Sequence, residues 1–168
     1  MNALQRRQAI LERIRSARAP VSATVLAGEF CVSRQIVVGD VALLRAGGED
    51  IQATPRGYVS GTESAGVTAV LACVHGAEDM GRELNVMVDH GCEVLDVMVE
   101  HPVYGQLTGQ LRLRSRHDVE QFLCRARNAR PLSHLTGGIH LHTVRCPDEE
   151  TLHRVTDALR REGFLLTD

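Results

Sequence analysis

The stretch Leu135-Thr136-Gly137-Gly138-Ile139-His140-Leu141-His142-Thr143-Val144 constrains this chain more than any other. From Ile139 onward, apolar residues alternate with histidines, the period-two pattern of a half-buried strand. Residues i and i+2 of a strand share a face. His140 and His142 therefore project side by side, and Ile139 and Leu141 point the other way. Two neutral imidazoles aimed at one spot are half of a transition-metal site. The same spacing also suits a pair of exposed or hydrogen-bonded histidines, so the other ligands must come from elsewhere in the chain.

The flanking sequence supplies candidates. Val67–Val74 is an apolar, β-branched run, a buried strand that ends at His75. Glu78–His90 carries Met80, Leu84, Met87 and Val88 at helical spacing and stops at Gly91. Cys92–Glu100 and Gln106–Arg114 read as a hairpin joined by His101-Pro102-Val103-Tyr104-Gly105. Ser115 caps a helix through about Ala129, and Asp148 caps a last one ended by Gly163. Phe164-Leu165-Leu166 can add an edge strand. The fold class is α+β, and residues 67–168 are predicted to form a ferredoxin-like βαββαβ unit with an added helix and strand.

In such a unit the first strand and the His-x-His strand lie close together in the sheet. A helix packed over that face can lower one carboxylate onto the histidines. Glu83 sits about two turns into the first helix of the unit, with Asp79 as the rival one turn earlier. His75, Glu83, His140 and His142 then offer three nitrogens and one oxygen, with coordination positions left open. That donor set suits zinc, nickel or iron(II) better than calcium or magnesium.

Residues 1–60 carry a different pattern. Leu4, Leu11 and Ile14 share one face of an amphipathic helix that ends near Pro20. Ser22 and Ser33 are N-cap candidates, each inside a staple pair: Val21 with Leu26, then Val32 with Val37. Two short helices joined by Phe30-Cys31-Val32 make a helix-turn-helix, in which the start of the second helix reaches base edges. Ser33, Arg34 and Gln35 stand at that start, with Val38 and Ala42 expected on the same outward side. Arg pairs with guanine, Gln with adenine, and Val can touch a thymine methyl. Ile51–Val59 reads as two short strands around Pro55-Arg56-Gly57, the wing of a winged helix, with Arg56 at its tip for phosphate or the minor groove. Gly39, inside the recognition helix, has no local reason to be there. Ser60–Gly66 is small and polar, a linker.

Charge follows this division. All 19 basic residues are Arg. Residues 1–60 hold 8 of them against 5 acidic residues, and the remainder holds 11 against 16. A basic front end on a chain of net charge -2 points to nucleic acid. The five cysteines are scattered and never in C-x-x-C, which predicts buried thiols in a reducing cytosol rather than a disulfide framework. No long uninterrupted apolar run predicts a membrane span.

At this point the chain resembles the niacin-responsive transcriptional repressors of bacteria. The residues that carry the likeness are Val32-Ser33-Arg34-Gln35, Asp40-Val41-Ala42-Leu43-Leu44-Arg45, Ala53-Thr54-Pro55-Arg56-Gly57-Tyr58, Val99-Glu100-His101-Pro102-Val103-Tyr104-Gly105 and the stretch from Leu135 to Thr143. The resemblance implies a homodimeric cytoplasmic repressor of NAD-biosynthesis or niacin-uptake genes, with operator DNA as partner and nicotinic acid as co-repressor. It implies a divalent transition metal (nickel or zinc, or else iron) on His75, Glu83, His140 and His142, and places His101 and Tyr104 at an effector pocket or its supporting turn. Two other readings use the same residues: a metal-dependent hydrolase fused to a DNA-binding module, with Asp79 or Asp89 as base, and a sensor for the metal itself.

Overall fold

A computed structural model describes residues 2–61 and 66–167. The chain divides into two compact units, one running to Glu63 and the other from Ser64. Residues 62–65, most of the expected linker, lie outside the described residues.

In the first unit, α1 (Ala3–Arg15) opens with a capping box between Asn2 and Gln5. The two serine caps form as their sequence context demands. Ser22 Oγ accepts from the Val25 amide and starts α2 (Ala23–Glu29), and Ser33 Oγ accepts from the Ile36 amide and starts α3 (Arg34–Ala46). Ile10, Leu11, Ile14, Leu26, Val37 and Val41 close a common core. The wing is β1 (Ile51–Thr54) paired antiparallel with β2 (Gly57–Ser60). It is tied to the helices by reciprocal hydrogen bonds between Val21 and Tyr58, at 3.0 and 2.8 Å. Gly57 makes this approach possible: a Cβ there would sit 2.5 Å from the Val21 carbonyl.

The second unit is a four-stranded antiparallel sheet with helices. Its elements are β3 (Val67–Val74), α4 (Met80–Asp89), β4 (Glu93–His101), β5 (Gly105–Leu113), α5 (Arg116–Ala126), β6 (Ile139–Cys146) and α6 (Glu149–Arg161). The α+β layout and the βαββαβ element order are as expected. The sheet order is β3-β6-β4-β5, so the His-x-His strand β6 lies between the two strands joined by α4. Leu84, Met87, Val94, Leu113, Val119, Val144, Val155 and Leu159 fill the core between sheet and helices.

Three details differ from expectation. Residues Ala77–Asp79 form a 3-10 turn, and the α-helix begins only at Met80. Helix α5 ends at Ala126, and a second 3-10 segment, Leu132–Thr136, leads into β6. The expected edge strand at 164–166 is reduced to a single bridge, Leu165 opposite Cys73. The turn at Gly163 brings Phe164 back to the β3 edge, where its ring is buried; the Phe164 carbonyl accepts the Val74 amide and the Leu166 amide donates to the Ala72 carbonyl, both at 2.9 Å.

Candidate metal centre and nucleic-acid face

The centre is built on three neighbouring elements. Cα pairing of β3 with β6 sets Cys73 opposite His140 and Leu71 opposite His142. His140 and His142 are buried on the helix-facing side of the sheet, and His75 follows immediately after β3. Helix α4 lays Glu83 over them; its side chain is fully buried. Glu83 Oε2 is 2.7 Å from His75 Nε2 and 3.3 Å from His142 Nε2, and Oε1 is 3.1 Å from His140 Nε2. All three sequence-predicted histidines therefore face the carboxylate of the fourth predicted residue, Glu83. The rival Asp79 points away, into an ion pair with Arg82 at 2.9 Å.

The other ring nitrogen of each histidine is held by a backbone carbonyl. Nδ1 of His75 lies 2.7 Å from the Gly76 oxygen, Nδ1 of His140 2.8 Å from that of Gly138, and Nδ1 of His142 2.7 Å from that of Asp96. A carbonyl only accepts, so each Nδ1 carries the proton. In the neutral imidazole this leaves a lone pair on Nε2. Three such lone pairs then face one carboxylate, an arrangement of acceptors against acceptors that requires a cation or protons between them. His75 Nε2 is buried and, despite its closeness to Glu83, has no aligned hydrogen-bond partner. Ligand atoms around one ion at bond lengths of about 2.1 Å stand roughly 3.4 Å apart in a tetrahedron, close to the 2.7–3.3 Å between the Glu83 oxygens and the three Nε2 atoms. The donor set fits a divalent transition metal.

Protons on the imidazoles can supply that positive charge: burial alone would raise the Glu83 carboxyl, but hydrogen bonds from the three histidines hold it far below the usual carboxylate range. Burial lowers His75, and the Glu83 carboxylate with the Gly76 carbonyl more than offsets this, leaving it raised. Sequence reasoning missed Cys73. Its sulfur and the ligand atoms of Glu83 and His140 all lie within 4.8 Å of one another. Burial and the Glu83 charge push its thiol well up. Its position two residues before His75, on the same strand face, was the available signal.

Two glycines hold the approach to β6. Gly137 and Gly138 both have positive φ, at 63° and 95°. A Cβ on Gly138 would lie 2.5 Å from the His75 carbonyl oxygen. The Gly138 carbonyl in turn receives the His75 amide as well as the His140 ring. His101 and Tyr104 stand at the β4–β5 hairpin turn, where His101 Nδ1 accepts from the Val103 and Tyr104 amides at 3.1 and 3.2 Å.

On the first unit, Arg34 and Gln35 are exposed at the start of α3, and Ala42 is exposed about two turns later. Val38 is a correction. It is half-buried and packs against the core, because it flanks the Val37–Val41 stripe that faces inward. Arg56 sits in the wing turn, half-buried, its amide donating to Thr54 Oγ1. Asp40 was not anticipated as a core residue. It is buried on α3 and bound by Arg6 at 2.6 Å, with Arg7 at 3.7 Å.

The 3H domain family matches residues 68–168, and an HTH domain family matches residues 6–59. A protein of Thermotoga maritima named probable transcription repressor NiaR is 41% identical over 166 residues, covering 98% of this chain and 95% of its own. The chain belongs to the NiaR/NadR transcription-repressor family. Transcription repressor NadR of Bacillus subtilis, another member, is 38% identical over 169 residues, covering 97% of this chain and 94% of its own. An uncharacterised protein of Methanothermus fervidus is 29% identical over 100 residues, which are 55% of this chain and 16% of that one. Among the described residues, no helix is long and apolar enough to cross a membrane.

Proposed function

We propose that this chain is a DNA-binding transcription repressor whose C-terminal unit, 67–168, holds a divalent transition metal and reads nicotinic acid, and whose N-terminal unit, 1–60, binds operator DNA. The observation that carries the metal is the convergence of three carbonyl-held histidines on buried Glu83. His75, Glu83, His140 and His142 hold the ion, with nickel or zinc favoured and iron(II) also matched to the donors. When bound, the metal supplies a Lewis-acidic centre with positions beyond the protein ligands. The chain's own residues fix three imidazole planes and exclude water from the carboxylate.

Ser33, Arg34 and Gln35 enter the major groove and Arg56 meets the backbone or minor groove. The protein acts in the cytoplasm as a homodimer on a palindromic operator near NAD-biosynthesis or niacin-uptake genes; the co-repressor reading rests on the names NiaR and NadR borne by its relatives. A hydrolase finds no support in the residues nominated as its base. Asp79 is bound to Arg82, and Asp89 to Arg116 at 2.5 Å.

The test is a titration of operator DNA with metal-loaded and metal-stripped protein, against nicotinic acid, nicotinamide and metal in turn. Binding strengthened by nicotinic acid supports the reading; binding that follows metal alone makes the protein a metal sensor. In the same assay Arg34→Ala should relax base choice, losing ~1–3 kcal/mol on operator DNA, while Arg56→Ala weakens operator and random DNA alike.

A further inference from the structure

Strands β4 and β6 do not run in a single register. Glu93 pairs with Arg145 and Val94 with Val144, but the next pair is Met98 with Leu141. Three residues of β4, 95–97, therefore oppose two of β6, 142–143: a bulge of one residue. Strand β5 accommodates it on the other side, where the register shifts between Val94 and Asp96 and Arg112 takes a positive φ of 55°.

Asp96 stands in this bulge and makes two bonds that a regular ladder would not contain. Its carboxylate Oδ1 accepts the Thr143 amide at 3.1 Å. Its backbone carbonyl accepts Nδ1 of His142 at 2.7 Å. The two are complementary. In an unbroken antiparallel ladder the Thr143 amide would take a main-chain carbonyl of β4. Here a side-chain oxygen takes that amide, and the carbonyl is released to orient a metal-facing imidazole. The bulge also re-aims β4, since a one-residue slip exchanges the faces of a strand.

We propose that Asp96 is a positioning residue for the metal centre: its carboxylate stands in for the missing ladder acceptor at Thr143 and so directs its own carbonyl onto His142, fixing that ring with Nε2 toward Glu83. This rests on the metal reading above. The orienting partner of a ligating histidine ordinarily contributes about 10–100-fold in metal affinity. Asp96 exerts that control through its side chain although the contact is made by its main chain, which is why an acceptor of this length is needed.

The test compares Asp96→Ala with Asp96→Asn, which keeps an acceptor oxygen at the same reach, in the full chain. In metal-free protein, long-range nitrogen NMR reads the His142 tautomer. Competition with a chromophoric chelator reads zinc affinity. Expected are an Nδ1–H tautomer in the parent, its loss with a roughly 10–100-fold weaker zinc affinity in Asp96→Ala, and recovery of both in Asp96→Asn. Should Asp96→Ala not fold, Asp96→Gln displaces the acceptor by one methylene and takes its place. An unchanged tautomer and unchanged zinc affinity in Asp96→Ala would overturn the proposal. A tautomer that responds to Asp96 in a protein that takes up no zinc would support the positioning role and remove the metal reading instead.

Discussion

Each unit buries a carboxylate inside a helix, Asp40 in the first and Glu83 in the second, and the two are completed differently. Asp40 of α3 is 4% exposed and meets guanidinium groups of Arg6 and Arg7, whose positive charge is permanent. Glu83 of α4 is 0% exposed and meets three imidazoles whose remaining nitrogens are tied to carbonyls. The first arrangement is electrostatically finished within the chain and fastens α3 to α1. The second is balanced only when something positive sits among its members. A buried acid with a fixed cation is a fastening, and a buried acid facing lone pairs is a receptor.

The sharpest way to break this contrast is to empty the receptor. His140→Ala with His142→Ala should take metal content from about one ion per chain to none by elemental analysis. Retained metal would show that the ion sits elsewhere. Next in size is Gly138→Ala. A Cβ 2.5 Å from the His75 carbonyl, on a backbone at φ 95°, forces His75 and β6 apart. It should cost ~2–3 kcal/mol in thermal or urea unfolding and weaken metal binding with it. A variant as stable as the parent would mean the Gly138 loop can yield. The fastening is tested by Arg6→Ala, which leaves Asp40 buried with the more distant Arg7, at 3.7 Å, as its ion-pair partner among the described residues. Destabilisation of ~2 kcal/mol is expected in denaturant melts, with metal content untouched. A fall in metal content would contradict the separation of the two roles.

What could be read from the sequence was what depends on neighbours in the chain. The alternation at Ile139–Cys146, the caps at Ser22 and Ser33 and the turn at Pro55-Arg56 each express a local rule, and each element formed there. The shared face of His140 and His142 followed from strand period alone. Which strand lies against β6, and that Cys73 therefore faces His140, depends on pairing across some seventy residues, for which the sequence has no local mark. The Asp96 bulge is hidden for the same reason: a register slip exists only between two strands. Val38 was placed outward, and Asp40 was not singled out, because the inward stripe of α3 is wider than its apolar residues suggest. Its polar member is admitted by arginines from another helix. The 164–166 segment has strand-forming residues, but it meets the β3 edge at the single bridge of Leu165 with Cys73.

The smallest expected effect concerns a glycine that the packing does not explain. Gly57 and Gly138 are each required by a neighbour 2.5 Å from where a Cβ would be, but Gly39 has nothing within 4 Å and lies exposed inside α3. Glycine in an exposed helix interior costs about 1 kcal/mol relative to alanine. Gly39→Ala should therefore stabilise the protein by ~1 kcal/mol in denaturant melts. A site that gives up stability without an intramolecular return points to a partner. Gly39 follows Gln35 by four residues, and so shares its face of the helix that carries Arg34. There the absence of a side chain would let the α3 backbone approach bases or phosphates closely. Operator affinity should consequently fall in the same variant that gains stability. Opposite signs in the two measurements would place Gly39 at the DNA face. A gain in stability with unaltered operator binding would show that no close approach occurs there, and the face would then be carried by Arg34 and Gln35 alone.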